Sequence, residues 1–493
     1  MKHFNLFRSS TSKIQLFFVS RFATALVSSA CASSVASLWL APSFSSIRAP
    51  STSYTRFESS ASEKAISSPE EMTPTVSTEA AASNASQIRY MIYGKNGKVE
   101  ERRKNIKPPS DTKVKRGHVL VRVHAAGLNP VDAKYVIGDK LPFDTSSFVK
   151  GYTIGFEFSG VVVAIDGNEQ FYKVGDEVFG SMPPLHGTLS EYIMAPKNQI
   201  NHKPHSLRFI EAAGLPLVGL TAYQALHPYV GVKQVEEEAG ETEQQRHAEQ
   251  QPKMKQKKSL LVIGGAGGTG HVAIQVAKCL GGYDPIVAVC SPRSFDFCRA
   301  LGATHVVDYT NNEVGIVDQI QRALRAAGND SNRDSTSETP YALDEPSMVD
   351  IVFDCVTSAD ERDTKPYNYP RLLKNMTTTR YIRLGGKTKD WFYAGCERFL
   401  GENTIFGKEK LFWIKFPHSS QQLKQLQEWC DCDNTQNSVE DANKLTVHVS
   451  KVIQFNPDAV QHAMDDIMSR RVQGKLVVKI HEDDDGTNGA DSG

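Results

Sequence analysis

Hydrophobic and polar positions divide the chain into regimes of different period. From about residue 88 to 210 the pattern alternates. His118–His124 (HVLVRVH) and Phe158–Ile165 are the clearest runs, the second closed by Asp166-Gly167, and Asp176–Phe179 and Leu189–Ala195 add two more. Period two marks strands with one face in a core. Glycines at 127, 138, 151, 155, 160, 175, 180 and 187 separate these runs, which predicts a small, largely β domain. At Glu211 the period becomes helical, and EAAGLPLVGLTAYQALH carries small and apolar residues at helix spacing. Beyond it lie further short strands, Leu260–Ile263 and Pro285–Cys290 as apolar runs, then His305–Tyr309, Val349–Asp354, Tyr381–Gly386 and Leu411–Phe416, alternating with helices. Unbroken runs of this length predict strands buried on both faces, as in a parallel sheet covered by helices. Arg293–Leu301 is one such helix, and Leu445–His448 and Leu476–Ile480 are late strands flanking a helix at Asp458–Arg470.

The stretch Ser259–Gly281 organises the rest. The strand runs directly into Gly264, Gly265, Gly267, Gly268, Thr269 and Gly270, and an apolar helical face follows through Val272, Ala273, Ile274, Val276, Ala277 and Leu280. Gly265, Gly267 and Gly270 have the spacing G-x-G-x-x-G in the context of strand, turn and helix. Glycine there allows a tight turn, close approach of bare backbone to a diphosphate, and tight helix–strand packing, while the helix start offers free N–H groups. No Gly-Lys-Ser/Thr follows, which argues against a mononucleotide P-loop.

Composition adds bounds. The 493 residues carry 56 basic and 56 acidic side chains, and this zero net charge argues against nucleic acid as the main partner. The eight cysteines form no C-x-x-C pair, a pattern suited to buried thiols in a reduced compartment, and the close pair Cys430/Cys432 alone makes a poor metal site. No acid precedes Glu58, while Lys2, Arg8, Lys13, Arg21, Arg48 and Arg56 are spread through Ser/Ala-rich sequence. Residues 1–87 are therefore expected to be a transit peptide and linker, with a mitochondrial address first and a plastid one second. Serines and Arg21 interrupt the apolar patch Ile14–Leu40, so no stable membrane span is expected. Polar insertions near 235–258 and 329–347 and an acidic, disordered tail at 482–493 complete the outline.

With these pieces placed, the chain resembles the medium-chain dehydrogenase/reductase superfamily, in its zinc-free quinone oxidoreductase or enoyl reductase-like branch. AAGLNPVDAKYVIG (Ala125–Gly138), IGFEFSGVV (Ile154–Val162), KVGDEVFG (Lys173–Gly180), GTLSEY (Gly187–Tyr192), EAAGLPLVGLTAYQAL (Glu211–Leu226), the glycine stretch and RRVQGKLVVKI (Arg470–Ile480) occur in the family's order. The resemblance implies an α/β fold: a GroES-like β-barrel catalytic domain plus a Rossmann domain with a doubly wound parallel sheet. The corresponding boundaries are 88–215 for the barrel, 216–417 for the nucleotide domain and 418–481 for a C-terminal return to the barrel. Where zinc alcohol dehydrogenases hold their catalytic metal with cysteine and histidine, this chain has Asn129 and Phe156, and the four-cysteine zinc lobe is missing. Glu157 alone does not make a metal site.

The implied chemistry is hydride transfer from NADPH to a quinone or an α,β-unsaturated carbonyl, without a metal. By resemblance, Asn129 and Thr221 lie near the nicotinamide; read structurally they are a strand-end turn at Asn129-Pro130 and a helix-start hydroxyl. Tyr135 is either a substrate-side hydroxyl or a barrel-wall aromatic. Asp132 is expected to be solvated or capping rather than a base. No acid ends the second nucleotide strand; Ser291 and Arg293 stand there instead and could hold a 2′-phosphate, which points to NADPH over NADH. Tyr309 would line the adenosine end, and Leu384 and Gly385 would pass near the nicotinamide. Lys475 would reach the cofactor from the other domain or, the reading slightly favoured, sit as a surface lysine. Rival readings are a non-catalytic NADPH-binding protein that docks a partner, and a mitochondrial enoyl thioester reductase with Lys140 at the proton donor's position. Trp391–Trp413 is expected to shape the cleft or a dimer contact, a homodimer being common in the family.

Overall fold

The computed structural model describes residues 86–94, 97–107, 109–137, 150–230, 257–330, 347–357, 367–386, 409–412, 414, 419–432 and 444–482. The chain divides into the units Met1–Ala82 and Ser83–Gly493, and the described residues belong to the second. The expected transit peptide, most of both polar insertions, Lys140, most of Trp391–Trp413 and the acidic tail lie outside them.

The first lobe is built on antiparallel strands. A hairpin pairs β1 (Ser86–Tyr93) with β2 (Val99–Ile106). A separate sheet contains β3 (His118–Leu128), β4 (Glu157–Ile165), β5 (Glu177–Ser181), β6 (Tyr192–Pro196) and β7 (Ile200–His202). The long strand β3 is the spine: its first half pairs with β6, and β4 runs along it with two register shifts. Between β3 and β4 lies helix α1 (Pro130–Ile137). The Asn129-Pro130 turn thus opens a helix, because proline at a first helical position gives up no intrahelical bond.

Helices α2 (Phe209–Ala213) and α3 (Pro216–Leu226) lead to the second lobe. Its strands are β8 (Lys258–Ile263), β9 (Tyr283–Cys290), β10 (His305–Asp308), β11 (Val349–Asp354), β12 (Thr377–Arg383) and β13 (Glu409–Leu411). They are all parallel, in the order β10-β9-β8-β11-β12-β13. With β8 as strand one this is the Rossmann order, and the direction of winding reverses between β8 and β11. The continuous apolar runs are explained by two buried faces. Leu260 and Val262 pack with helix α4 (Gly270–Leu280), whereas Leu261 and Ile263 pack with Ile316, Ile320 and Leu324 of the long helix between β10 and β11. The expected helix Arg293–Leu301 begins instead as a tight turn at Pro292–Ser294 and continues as α5 (Phe295–Ala300); α6 (Ile316–Asp330) is the long helix just mentioned. Helix α7 (Ser420–Cys430) adds Leu423, Leu426 and Cys430 to the core shared with α3 and α4.

The chain then returns to the barrel. β14 (Val449–Gln454), α8 (Pro457–Met468) and β15 (Lys475–Lys479) follow, with β15 antiparallel to β3 through Leu476 opposite Leu128 and Val478 opposite Ala126. The expected strand Leu445–His448 is not one. It is extended, but part of its main chain is held by side chains of α4: the Gln275 amide accepts from Thr446 N–H (2.9 Å) and donates to Thr446 C=O (3.0 Å), and His448 N–H donates to His271 Nε2 (3.3 Å), while Leu445 N–H donates to Trp429 C=O (3.0 Å) and His448 C=O accepts from Lys475 N–H (2.9 Å).

Candidate functional site

The glycine turn leaves the carboxyl end of β8 at the point where the sheet reverses its winding, where open α/β sheets hold ligands. Gly264 has φ +79°, and Gly264 and Gly265 N–H both donate to Val289 C=O at 3.0 Å. A β-carbon on Gly270 would stand 2.1 Å from the Gly264 carbonyl oxygen, so helix and strand approach as closely as only glycine allows. Thr269 precedes α4 without a side-chain cap bond, and of the turn and first α4 amides those of Gly267, His271 and Ala273 donate to Gly264, Gly267 and Thr269 C=O (3.0, 3.0 and 2.9 Å). The bare backbone of the turn and its other N–H groups fit a dinucleotide's diphosphate.

A second cluster lies beside it at the junction of β3, β4 and β15. Lys475 Nζ donates to Leu128 C=O (2.9 Å), Asn129 Oδ1 (2.7 Å) and Glu157 Oε1 (2.7 Å). Asn129 Nδ2 donates to the same Glu157 Oε1 (2.7 Å), and Leu217 N–H donates to Glu157 Oε2 (2.7 Å). Lys475 is 2% exposed and Glu157 is fully buried. The surface reading of Lys475 is thus corrected: a buried carboxylate opposite it, contributed by another strand, holds the ammonium inside. All three ammonium protons have protein acceptors. The lysine stem also borders the turn, since a β-carbon on Gly268 would lie 3.3 Å from Lys475 Cδ.

This donor set does not fit a zinc ion. Phe156 offers only carbon, Asn129 only an amide, and the one carboxylate is already engaged by an ammonium. Among the described residues, no three or more His, Cys, Asp or Glu side chains converge as a metal cluster.

Asp132 Oδ2 accepts Asn129 N–H (2.9 Å), the reciprocal cap of α1, and Oδ1 accepts Gly155 N–H (3.1 Å) and the Tyr93 hydroxyl (3.4 Å). It caps as expected but is fully buried rather than solvated. Burial pushes its carboxyl up to about 7, against the lowering effect of the two N–H groups. Half-buried Tyr135 sits between Tyr93 (5.8 Å, edge-on) and Phe156 (6.0 Å), and burial aided by Asp132 pushes its phenol up to about 12. Thr221 lies in the middle of α3 rather than at its start, and its hydroxyl donates to Leu217 C=O (2.7 Å), one turn back. Asn129, Thr221 and Lys475 are thus linked through Glu157 and Leu217.

At the far end of the turn, Ser291 and Arg293 follow β9, and Arg293 Nη2 donates to Arg471 C=O (2.8 Å). Tyr309 follows β10, its N–H 3.4 Å from Cys290 C=O, so the structure brings Ser291 and Tyr309 to one sheet edge. Leu384 and Gly385 lie just past the end of β12, with Leu384 N–H donating to Asp354 C=O (3.1 Å). The sequence reading missed His271, a fully buried side chain at the start of α4. Its sequence signal was a ring nitrogen base one residue after the last glycine of the motif.

A mainly antiparallel sheet completed by the chain's own C-terminal return, with a Rossmann sheet inserted before that return, is the two-domain architecture shared by many dehydrogenases and reductases. Comparison with known proteins agrees. Residues 115–205 match the alcohol dehydrogenase GroES-like domain, and residues 268–364 match the family described as zinc-binding dehydrogenase. The mouse (Mus musculus) mitochondrial NAD(P)H oxidoreductase RTN4IP1 is 34% identical over 218 residues, 42% of this chain and 49% of that protein. A trans-enoyl reductase of Aspergillus terreus is 29% identical over 373 residues, 74% of this chain and 86% of the relative. The quinone oxidoreductase structure from Coxiella burnetii shares the fold, with a TM-score of 0.54 at 22% identity over 80% of this chain and 100% of that one. The match spans about half the length of the RTN4IP1 relatives. Over both lobes the chain is thus similar to proteins of the medium-chain dehydrogenase/reductase type, among them quinone oxidoreductases and enoyl reductases.

Proposed function

We propose that this chain is an NADPH-dependent, zinc-independent oxidoreductase that passes hydride to a quinone or an α,β-unsaturated carbonyl. The observation that carries the reading is the glycine turn at the reversal of the sheet, bordered by a lysine ammonium among oxygen ligands where related enzymes hold zinc. When bound, a reduced nicotinamide supplies the hydride. The residues of this chain would do the rest. Gly264, Gly265, Gly267, Gly268, Thr269 and Gly270 would hold the diphosphate, and Ser291, Arg293 and Tyr309 the adenosine phosphate end. Leu384 and Gly385 would border the nicotinamide, with Thr221 and Asn129 beside it. Lys475 would hold the Asn129 amide in one orientation, and Tyr135, a neutral phenol at pH 7, would face the acceptor.

The chemistry of relatives supports this reading: an NADPH-dependent alkenal/one oxidoreductase of Arabidopsis thaliana chloroplasts is 32% identical over 248 residues, 48% of this chain and 57% of that protein. We assign residues 88–215 and 418–481 to the barrel and 216–417 to the nucleotide domain. A mitochondrial location, with the plastid as the other outcome, and a homodimer complete the proposal. No helix among the described residues is long and apolar enough to cross a membrane. The test is NADPH oxidation by the purified chain against quinones, enals and enoyl thioesters. Turnover of a quinone or enal, undiminished by a chelator, is expected. Tight NADPH binding with no turnover of any acceptor would instead favour a non-catalytic binding protein.

A further inference from the structure

His271 is the second residue of α4, and its ring has no exposed surface. The ring stands between the glycine turn and the segment that leads into β14. Nδ1 lies 2.9 Å from Gly267 C=O inside the turn, and Nε2 lies 3.3 Å from the main-chain N–H of His448, in the segment that leads into β14. A main-chain N–H can only donate, so Nε2 is the acceptor and the ring proton sits on Nδ1, donated to Gly267. The neutral tautomer is therefore set by its two partners. Burial keeps the ring neutral, pushing its titration down to about 4, with Lys475 and His448 adding in the same direction. Phe297 closes the remaining side, 6.1 Å from the His271 ring and 5.1 Å from the His448 ring.

One turn further along α4, Gln275 makes a second rung to the same segment. Its Oε1 accepts Thr446 N–H (2.9 Å) and Thr446 Oγ1–H (3.0 Å), and its Nε2 donates to Thr446 C=O (3.0 Å). A third link joins the turn directly, with Gly474 N–H donating to Ala266 C=O at 2.9 Å. The carbonyl side of the turn is thus held: Ala266 by Gly474 N–H (2.9 Å), and Gly267 both by the His271 main-chain N–H (3.0 Å) and by the imidazole, which is itself anchored on residue 448. Holding a carbonyl fixes its peptide plane, so the ring's bond to Gly267 C=O keeps the Gly268 N–H turned to the other side.

We infer that His271 is a positioning residue for the dinucleotide site: a neutral imidazole that ties the glycine turn to the returning segment 445–448 and keeps the helix-start amides aimed at the cofactor diphosphate. The inference rests on the reading of the turn as an NADPH site. It makes NADPH affinity depend on a contact with the returning segment, made by a residue that need not touch the cofactor.

The test measures NADPH dissociation constants and steady-state constants for the full chain and two variants. His271→Leu removes both hydrogen bonds and keeps an apolar side chain. His271→Gln retains an amide that can accept from His448 and donate to Gly267. The expected result is a dissociation constant for NADPH raised about tenfold or more in His271→Leu, restored to within about threefold of wild type in His271→Gln, with kcat at saturating NADPH little changed in both. Equal affinity in the Leu variant and wild type would overturn the role of His271 alone. Absence of NADPH binding in wild type would overturn the cofactor reading itself. Should His271→Leu fail to fold, hydrogen exchange of the wild-type chain decides. NADPH slowing residues 264–271 and 445–449 together supports the tie, and slowing of 264–271 alone overturns it.

Discussion

Lys475 and Glu157 form a buried ion pair in which all the charged atoms find partners. Such a pair adds little over an apolar one, but removing one partner strands a charge in the core. Lys475→Met is expected to lower stability by about 3 to 5 kcal/mol in denaturant unfolding, and adding Glu157→Leu to recover much of that loss. Two other buried groups make opposite demands on pH. His271 titrates at about 4 in the fold against an ordinary 6.5, so unfolding takes up a proton between those values and stability falls as pH drops through that window. Asp132 titrates at about 7 against an ordinary 3.8, so the fold holds a proton that the unfolded chain releases, and stability falls as pH rises through 4 to 7. Each effect is on the order of 3 kcal/mol, and in the wild type they largely cancel between pH 4 and 6.5. Unfolding free energies should therefore rise with pH in Asp132→Asn and fall with pH in His271→Gln across that window. Parallel slopes in the two variants would refute this assignment. Burial of Lys475 was not legible in the sequence, because a lysine before a strand gives no sign of a carboxylate 318 positions away.

The strand–turn–helix element was legible because its constraints are local. Continuous apolar residues need two covered faces, and the glycines need close approach; both needs are written in adjacent positions. The glycines are not equivalent, however. Gly270→Ala would press a β-carbon against the Gly264 carbonyl at 2.1 Å, whereas Gly268→Ala meets a flexible lysine stem at 3.3 Å and the Gly474 carbonyl at 3.4 Å. Gly270→Ala is thus expected to abolish NADPH binding and lower the melting temperature. Gly268→Ala should fold normally and weaken binding only in part, as measured by NADPH fluorescence titration and thermal melts. Two elements were not legible, one for its exposure and one for its distant partners. β2 reads VEERRKNI, with only Val99 buried; its ion pairs Arg102–Glu100 and Arg103–Glu101 are those of an exposed edge. Leu445–His448 has the apolar alternation of a strand, but Thr446 and the His448 N–H bond to Gln275 and His271, side chains of a helix more than 170 residues earlier.

Across the whole molecule, the chain leaves the barrel after α2, builds the parallel sheet and returns to pair β15 with β3. The returning segment carries both Lys475, which holds Asn129 and Glu157, and Gly474, which holds the glycine turn. One stretch of backbone therefore positions both halves of the candidate site. Fold class was accessible from motif order alone, since each motif is local, spanning one element or adjacent ones. The assembly of the site was not, since it depends on where the chain's last strand inserts. The central claim is that the start of α4 holds a dinucleotide and that no metal takes part. The most direct measurement is NADPH titration of the metal-stripped full chain by fluorescence, with Gly270→Ala in parallel. Saturable one-to-one binding in the stripped wild type, lost in the variant, is the predicted result. No binding, or binding that returns only when zinc is added, would contradict the account.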